Sequence, residues 1–186
     1  MNYQNILYKT ANILEKNFVK NSKLDCEILL SKTLKIKREK LLINLDKNIS
    51  NSELYKYYQL INRRKKKEPI AYILGYKEFW KNKFFVNENV LIPRPDTECL
   101  IEEALKLIPK NISKNILDIG TGSGCIIISL LLERKKCYGT GIDISKEAIN
   151  IAKINAKIQQ LKNRLKFFKS DIDKFYLGKY DFILSN

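Results

Sequence analysis

The chain has 186 residues, of which 45% are hydrophobic, and it carries a formal net charge of +15. A soluble chain of this length buries roughly 70% of its unfolded surface, which suits one large or two small domains. Histidine is absent and no two of the four cysteines form a Cys-x-x-Cys pair. These absences exclude Ser–His and Cys–His nucleophile pairs and argue against a zinc site, so we expect no bound metal.

Hydropathy and charge indicate where the protein is located in the cell and what kind of partner it binds. The longest apolar run, Cys125–Leu132, is interrupted by Ser129 and is far shorter than the roughly 20 residues of a membrane span. The N-terminus has no continuous apolar stretch of the kind found in secretory signals. We therefore expect a cytoplasmic protein without membrane contact, and a monomer. A basic chain suits a nucleic-acid partner, but a composition rich in Lys, Asn and Ile explains the charge better, so nucleic acid is not required.

Residues 1–68 are predicted to form a helical bundle. They contain neither Gly nor Pro, and their apolar residues recur at helical spacing. Ser22 and Asp25 have the spacing of a capping box at the start of the second helix. We expect four or five short helices, whose apolar positions are Ile6, Leu7, Leu14, Phe18, Leu24, Ile28, Leu29, Leu34, Leu41, Leu42, Leu45, Leu54, Tyr57, Tyr58 and Ile61.

Residues 69–96 have a different composition, in which prolines and a glycine separate aromatic and β-branched residues. The segments 76–80 and 84–86 are predicted to pair as a β-hairpin across the three residues between them. We expect this region to connect two domains.

Residues 97–186 alternate between strand-like and helix-like patterns. Thr97 is predicted to be the N-cap of a helix over residues 98–108. The alternation that follows predicts a parallel sheet with helical crossovers. The predicted strands are 115–119, 137–142, 165–169 and 180–184, and the predicted helices between them are 125–133 and 145–158.

A glycine-rich loop, Asp118-Ile-Gly-Thr-Gly-Ser-Gly124, joins the first of these strands to an apolar helix. Glycines allow a sharp turn and a close approach of the backbone to a ligand, and free N–H groups at the helix start can bind a polar group. A dinucleotide fingerprint would need a third glycine where Cys125 stands, and a P-loop would need Gly-Lys-Ser/Thr. The remaining pattern, Asp-x-Gly-x-Gly-x-Gly, resembles that of class I methyltransferases.

Three aspartates follow or end successive predicted strands, where open α/β sheets bind ligands. Asp118 would place a carboxylate near the ammonium group of S-adenosylmethionine, which has no phosphate. Asp143 can accept hydrogen bonds from two ribose hydroxyls, and Asp171 with Ile172 lies where adenine is expected. Each acid alone is typical of a turn or a cap, but together with the glycine loop they predict S-adenosylmethionine as the cofactor.

Further segments resemble the peptide-chain release factor glutamine methyltransferases over nearly the whole chain. The segment Ile-Pro-Arg-Pro-Asp-Thr-Glu is the most specific of them. The resemblance rests on Glu68-Pro-Ile-Ala-Tyr-Ile-Leu-Gly75, Glu78-Phe-Trp80, Leu91-Ile-Pro-Arg-Pro-Asp-Thr-Glu98, the glycine loop and Asp143-Ile-Ser145.

The resemblance implies transfer of a methyl group to the side-chain amide nitrogen of glutamine in the Gly-Gly-Gln loop of release factors, which are the expected partners. Residues 1–68 would recognise the substrate, and Asn186 would bind the glutamine amide and act as the catalytic residue. The cofactor-binding residues implied are Asp118, Gly120, Thr121, Gly122, Ser123, Gly124, Asp143, Asp171, Ile172 and Asn186.

This sequence departs from the family pattern at two places. In the family an asparagine begins an Asn-Pro-Pro-Tyr motif, but this sequence ends at Asn186. We therefore expect a fragment, with a helical N-terminal domain, a hairpin linker and a C-terminally incomplete Rossmann-like domain over residues 97–186. Ile172 also stands where some family members have an aromatic residue near adenine.

Two alternative functions remain open from the sequence. A DNA or RNA amino-group methyltransferase shares the Asn-Pro-Pro-Tyr motif and would suit the basic charge, but it would need a base-flipping pocket. An inactive remnant could serve only as a binding module. For the chain as given, we expect weak cofactor binding and little turnover.

Overall fold

The computed structural model describes residues 1–161 and 163–186. The chain divides into two compact units, Met1–Leu74 and Gly75–Asn186, and each has its own hydrophobic core. Across this described part of the chain, no helix is both long enough and apolar enough to cross a membrane.

The first unit consists of helices, as the periodicity predicted. Its core is formed by apolar side chains such as Ile6, Leu14, Leu30 and Leu41, all of which are fully buried. The last helix lies within the region expected to be a connector, where Pro69 precedes its first residue and the fixed φ of proline suits a helix start. The helices are α1 Tyr3–Lys16, α2 Ser22–Leu34, α3 Arg38–Leu42, α4 Asn51–Lys65 and α5 Ile70–Leu74.

The capping box predicted at Ser22 and Asp25 is wrong. Helix α2 begins after Asn21 without a side-chain cap, and the Ser22 hydroxyl donates to the carbonyl of Val19. The Asp25 carboxylate instead pairs with the guanidinium of Arg64 at 2.6 Å. This pair is mostly buried and joins α2 to α4. Because the Asp25 carboxylate is bound to a residue distant in sequence, it does not take part in capping α2.

Helix α4 contains the capping box that the sequence analysis missed. The Ser50 hydroxyl accepts the N–H of Glu53, and the Glu53 carboxylate accepts the N–H of Ser50. Both N–H groups would otherwise have no partner at the helix start.

The second unit begins with the predicted β-hairpin. Strand β1 (Tyr76–Phe79) pairs antiparallel with β2 (Asn82–Phe85). The turn contains two residues rather than three, and Trp80 adopts a left-handed conformation with φ of 54°. A two-residue turn needs positive φ to match the strand twist, and here a tryptophan adopts it.

A four-stranded parallel sheet forms the core of the second unit, in the order β5-β4-β3-β6. Parallel pairing brings the carboxyl ends of all four strands to one edge, where a loop after each strand can contribute to a site. This arrangement confirms the predicted α/β fold. The strands are β3 Asn115–Ile119, β4 Tyr138–Asp143, β5 Leu165–Lys169 and β6 Phe182–Ser185, and the helices are α6 Glu98–Leu107, α7 Cys125–Glu133 and α8 Lys146–Ile158.

Helix α7 packs directly on the sheet, which fixes the loop that precedes it. Seven of its nine residues are buried, in keeping with a sequence that is apolar on every side. At Gly139 of β4, an added Cβ would lie 2.8 Å from Cγ1 of Ile127 and 2.9 Å from Cδ1 of Leu131. The absence of a side chain at Gly139 therefore allows α7 to approach the strand closely.

Candidate functional site

The loop between β3 and α7 adopts a backbone conformation that favours glycine. Gly120, Gly122 and Gly124 have φ values of 68°, 54° and 78°, a region costly for residues that carry a Cβ. A Cβ on Gly120 would meet no atom within 4 Å, whereas one on Gly124 would lie 3.0 Å from Cδ1 of Ile128. Gly120 therefore borders open space, and Gly124 allows close packing on α7.

Asp118 lies beneath this loop. Its side chain is fully buried, and its Oδ2 accepts a hydrogen bond from Thr121 Oγ1 at 2.6 Å. Within the described residues, Oδ1 has no hydrogen-bond partner. Burial raises the pKa of the Asp118 carboxyl to about 7, although the hydrogen bond from Thr121 opposes the shift. The site thus holds a carboxyl group that a positively charged ligand nearby would favour in its ionised form.

Asp143, the last residue of β4, fixes the loop through backbone N–H groups. Its Oδ2 accepts from the N–H of Gly122 and its Oδ1 from the N–H of Ser145, both at 2.9 Å. Ser145 in turn caps α8 by accepting the N–H of Ala148. Because each carboxylate oxygen has more than one lone pair, Asp143 can keep both contacts and still accept hydrogen bonds from a ligand.

A cleft of about 370 Å³ opens beside the glycine loop. The loop contributes residues 120–123, helix α7 contributes Cys125 and Ile126, and the carboxyl end of β6 contributes Asn186. The structure thus brings together the glycine loop, the Pro-Arg-Pro-Asp-Thr segment and Asn186. The remaining lining residues are Leu91, Ile92, Pro93, Arg94, Asp96, Thr97 and Leu100.

Asn186 contacts this segment directly. Its Nδ2 donates a hydrogen bond to Oγ1 of Thr97 at 2.7 Å. Thr97 stands at the predicted N-cap position directly before α6, but its backbone angles are helical and its side chain makes no cap hydrogen bond. A short 3-10 turn, Pro95–Thr97, runs directly into the helix and leaves the hydroxyl available to Asn186.

The other predicted site residues are not among the residues that line the cleft. Asp171 is exposed and caps the short 3-10 turn Ile172–Lys174 by accepting the N–H of Asp173 at 3.3 Å. Ile172 is 44% exposed. Asp118, Asp143 and Gly124 support the loop and do not line the cleft. A cofactor contact by any of the ten residues named from the sequence stays a prediction.

Asn155 of α8 is a site-supporting residue that the sequence analysis missed. Its Nδ2 donates to the carbonyls of Ser123 at 2.8 Å and Phe85 at 3.0 Å, and its Oδ1 accepts the N–H of Phe85 at 2.7 Å. The side chain is 1% exposed and joins the glycine loop to the hairpin. The signal in the sequence was a polar residue one helical turn beyond Ile151 and Ala152, on the apolar face of a predicted helix.

Two family models match most of the chain. The PrmC N-terminal domain matches residues 5–75, and a methyltransferase domain matches residues 110–186. Together with the parallel sheet and the glycine loop, these matches place the second unit among the Rossmann-like methyltransferase domains.

Curated relatives identify the family more closely. The chain is 44% identical over 169 residues to the release factor glutamine methyltransferase of Leptospira interrogans, a match that covers 90% of this chain and 59% of that protein. Proteins of the same name from Fusobacterium nucleatum and from Buchnera aphidicola subsp. Schizaphis graminum are 39% and 40% identical, with 97% and 98% of this chain and 52% and 66% of theirs covered. This chain belongs to the release factor glutamine methyltransferase family, which confirms the resemblance. It spans about half to two-thirds of the length of these relatives.

Proposed function

We propose that this chain methylates the side-chain amide nitrogen of glutamine in the Gly-Gly-Gln loop of peptide-chain release factors, with S-adenosylmethionine as the methyl donor. The observation that carries the proposal is the cleft lined by residues 120–123, by residues 91–94 with Asp96 and Thr97, and by Asn186. Relatives named release factor glutamine methyltransferase, 39–44% identical to this chain, support the choice of substrate.

The residues around the cleft fit S-adenosylmethionine. Gly120 borders open space, and a Cβ on Gly122 would meet only the carbonyl oxygen of Gly120, at 3.9 Å, which suits a ligand that lies against the loop. Asp143 would hold the ribose hydroxyls, Asp171 and Ile172 would lie towards adenine, and the buried Asp118 carboxyl would favour a positively charged ligand. When bound, the cofactor supplies an electrophilic methyl group on a positively charged sulfonium.

Asn186 is the residue we assign to the substrate. Its Nδ2 is engaged by Thr97, so its Oδ1 is the atom available to accept a hydrogen bond from the glutamine amide N–H. An amide nitrogen is a weak nucleophile because its lone pair is delocalised into the carbonyl, so the site must act mainly by orientation and fixed dipoles. The nitrogen would bond to the methyl carbon as the carbon–sulfur bond breaks, and would lose its proton to water only afterwards, which fits a sequence without histidine.

The direct test is transfer of radiolabelled methyl groups by the purified chain under single-turnover conditions, with the chain in excess so that slow transfer is detected. We expect label in a release factor, and none in a release factor whose loop glutamine is replaced by alanine. DNA and RNA serve as competing acceptors in the same assay. Label in nucleic acid, or in the alanine-substituted release factor, would contradict the proposal.

Cofactor binding is measured separately, by isothermal titration with S-adenosylhomocysteine. We expect Asp143→Ala to weaken binding by more than about tenfold, because the loop loses its carboxylate support and the ribose loses its acceptor. Asp46→Ala, an exposed acid in the helical unit, is the matched control. Equal affinity in both variants would argue against the assigned cofactor site.

A further inference from the structure

Thr97 and Asn186 form a contact between two segments that are far apart in sequence. Asn186 Nδ2 lies 2.7 Å from Thr97 Oγ1, across 89 positions of sequence. Both residues line the cleft beside the glycine loop. The contact therefore joins the Pro-Arg-Pro-Asp-Thr segment to the residue assigned to the substrate.

The side-chain amide of asparagine has two chemically different ends. The oxygen only accepts hydrogen bonds and the nitrogen only donates them. A glutamine amide nitrogen carries hydrogens and therefore needs an acceptor, so Asn186 is productive only when its oxygen faces the substrate. In the structure the nitrogen faces Thr97, which leaves the oxygen free for the cleft.

Thr97 is suited to fix Asn186 because it belongs to a firmly held element. It lies at the junction of the turn Pro95–Thr97 and helix α6. The next residue, Glu98, accepts the N–H of Trp80 at 2.8 Å, and Ile101 one turn later is fully buried. Asn186, in contrast, is exposed at the end of β6, where an unrestrained side chain would sample several rotamers.

We propose that Thr97 is a positioning residue, which holds the Asn186 amide with its oxygen directed to the substrate. The inference rests on the proposed function and deepens it. Thr97 does not itself touch the reacting atoms. Its hydroxyl restricts the rotation of the Asn186 side chain, so that the acceptor is already in place when the glutamine binds.

A purely structural role would give a different result. If the contact only attached β6 to α6, its loss would lower stability and cofactor affinity together. If it positions Asn186, its loss slows methyl transfer while cofactor affinity and thermal stability stay nearly constant. Separate measurements of rate, affinity and stability therefore distinguish the two roles.

The first test does not depend on activity and uses three variants of the isotope-labelled chain. Thr97→Val removes the hydroxyl and keeps the shape, Thr97→Ser keeps the hydroxyl, and Thr33→Val removes a helical hydroxyl that bonds to Leu29. We expect NMR to show faster exchange of the Asn186 side-chain N–H groups with water in Thr97→Val, by about fivefold or more, but not in Thr97→Ser or Thr33→Val. An unchanged Asn186 side-chain signal in Thr97→Val would overturn the proposal.

The second test measures methyl transfer to a release factor. We expect Thr97→Val to lower kcat by about tenfold, which corresponds to the loss of one hydrogen bond that aligns the reacting group, while the KM for S-adenosylmethionine stays within about twofold. Thr97→Ser should restore most of the rate. A parallel loss of cofactor affinity and melting temperature in Thr97→Val would overturn the positioning role. Absence of transfer by the unmodified chain would contradict the proposed function, while the NMR comparison would still decide the Thr97–Asn186 contact.

Discussion

The helical unit and the α/β unit differ in the way they hold buried polar groups. In the helical unit, Thr10 is hydrogen-bonded to Tyr57 at 2.8 Å and Asp25 is paired with Arg64 at 2.6 Å. Among the residues described, the buried side-chain nitrogen and oxygen atoms without a hydrogen-bond partner are Asp118 Oδ1 and Ser129 Oγ, and both belong to the α/β unit.

The unpaired oxygen of Asp118 lowers stability, so its presence is better explained by ligand binding than by folding. A buried polar group without a partner costs about 1–3 kcal/mol, so folding alone would favour its removal. Asp118 lies beneath the glycine loop, where a positively charged ligand would offset that cost. Within the described residues, the buried side-chain polar atoms of the helical unit all have hydrogen-bond partners, whereas the α/β unit keeps one unpaired carboxyl oxygen, Asp118 Oδ1, beside its candidate site.

The largest expected effect comes from removing the best-bonded polar residue of the α/β unit. Asn155→Leu keeps the approximate size of the side chain but leaves Phe85 N–H, Phe85 C=O and Ser123 C=O without their partner. We expect a loss of about 4 kcal/mol in the free energy of unfolding, measured by urea denaturation. Asn44→Leu, at a half-buried asparagine of the helical unit whose side chain donates to the carbonyl of Lys40, should cost about 1 kcal/mol or less. Similar losses in both variants would refute the linking role of Asn155.

The buried Asp118 carboxyl of the α/β unit should also make the free energy of unfolding depend on pH. Because the folded-state pKa of Asp118 is raised to about 7, the folded chain retains a proton that the unfolded chain has already released above about pH 4. The stabilisation from this group is therefore complete below about pH 4 and is lost as pH rises through about 7. We expect the free energy of unfolding to fall over this range, and Asp118→Asn to remove that part of the fall. The same pH dependence in Asp118→Asn would show that other groups cause it.

A smaller effect is expected at Gly141 of β4, which packs against Thr121 of the glycine loop. In Gly141→Ala the new Cβ would lie 2.7 Å from Cδ1 of Phe167 and 2.8 Å from Oγ1 of Thr121. Both neighbours, or the strand itself, must shift, at a cost of about 2 kcal/mol, as measured by thermal unfolding. The double variant with Phe167→Leu should recover part of the loss relative to Phe167→Leu alone. If no recovery is seen, the strain falls on Thr121 and its hydrogen bond to Asp118.

The smallest effect tests the helical unit. Ser50→Ala removes the hydroxyl of the capping box at the start of α4 and should cost about 1 kcal/mol of unfolding free energy. Ser52→Ala, inside the same helix, should be nearly neutral because alanine is a good helix former. Equal stability of the two variants would show that the capping box contributes little in this chain.

The periodic and motif-based parts of the sequence predicted the structure well. The helix Cys125–Glu133 and the strands Asn115–Ile119 and Leu165–Lys169 are found with the predicted bounds. Helix Cys125–Glu133 is a long apolar run, and strand Asn115–Ile119 lies directly before the glycine loop, so local pattern and tertiary packing agree in these two segments. The family prediction was also confirmed. It was based on contiguous sequence motifs, which can be recognised without knowledge of long-range contacts.

Predictions that relied on single polar residues were less successful. Ser22 with Asp25 and Thr97 have the right chemistry for helix caps, yet Asp25 pairs with Arg64 and Thr97 bonds to Asn186. Sequence spacing could not reveal either contact, because each joins residues distant in the chain. Asn155 was missed for the same reason, since its partners are a hairpin strand and the glycine loop.

The hairpin turn has a consequence for observing this molecule in solution. Trp80 is the single tryptophan of the chain, and its indole Nε1 donates to Glu133 of α7 at 2.9 Å while its backbone N–H donates to Glu98 of α6. Its fluorescence therefore reports on one event, the docking of the hairpin on these two helices. A shift of the emission maximum to longer wavelength would mark the release of the hairpin, without any added dye and without interference from the helical unit.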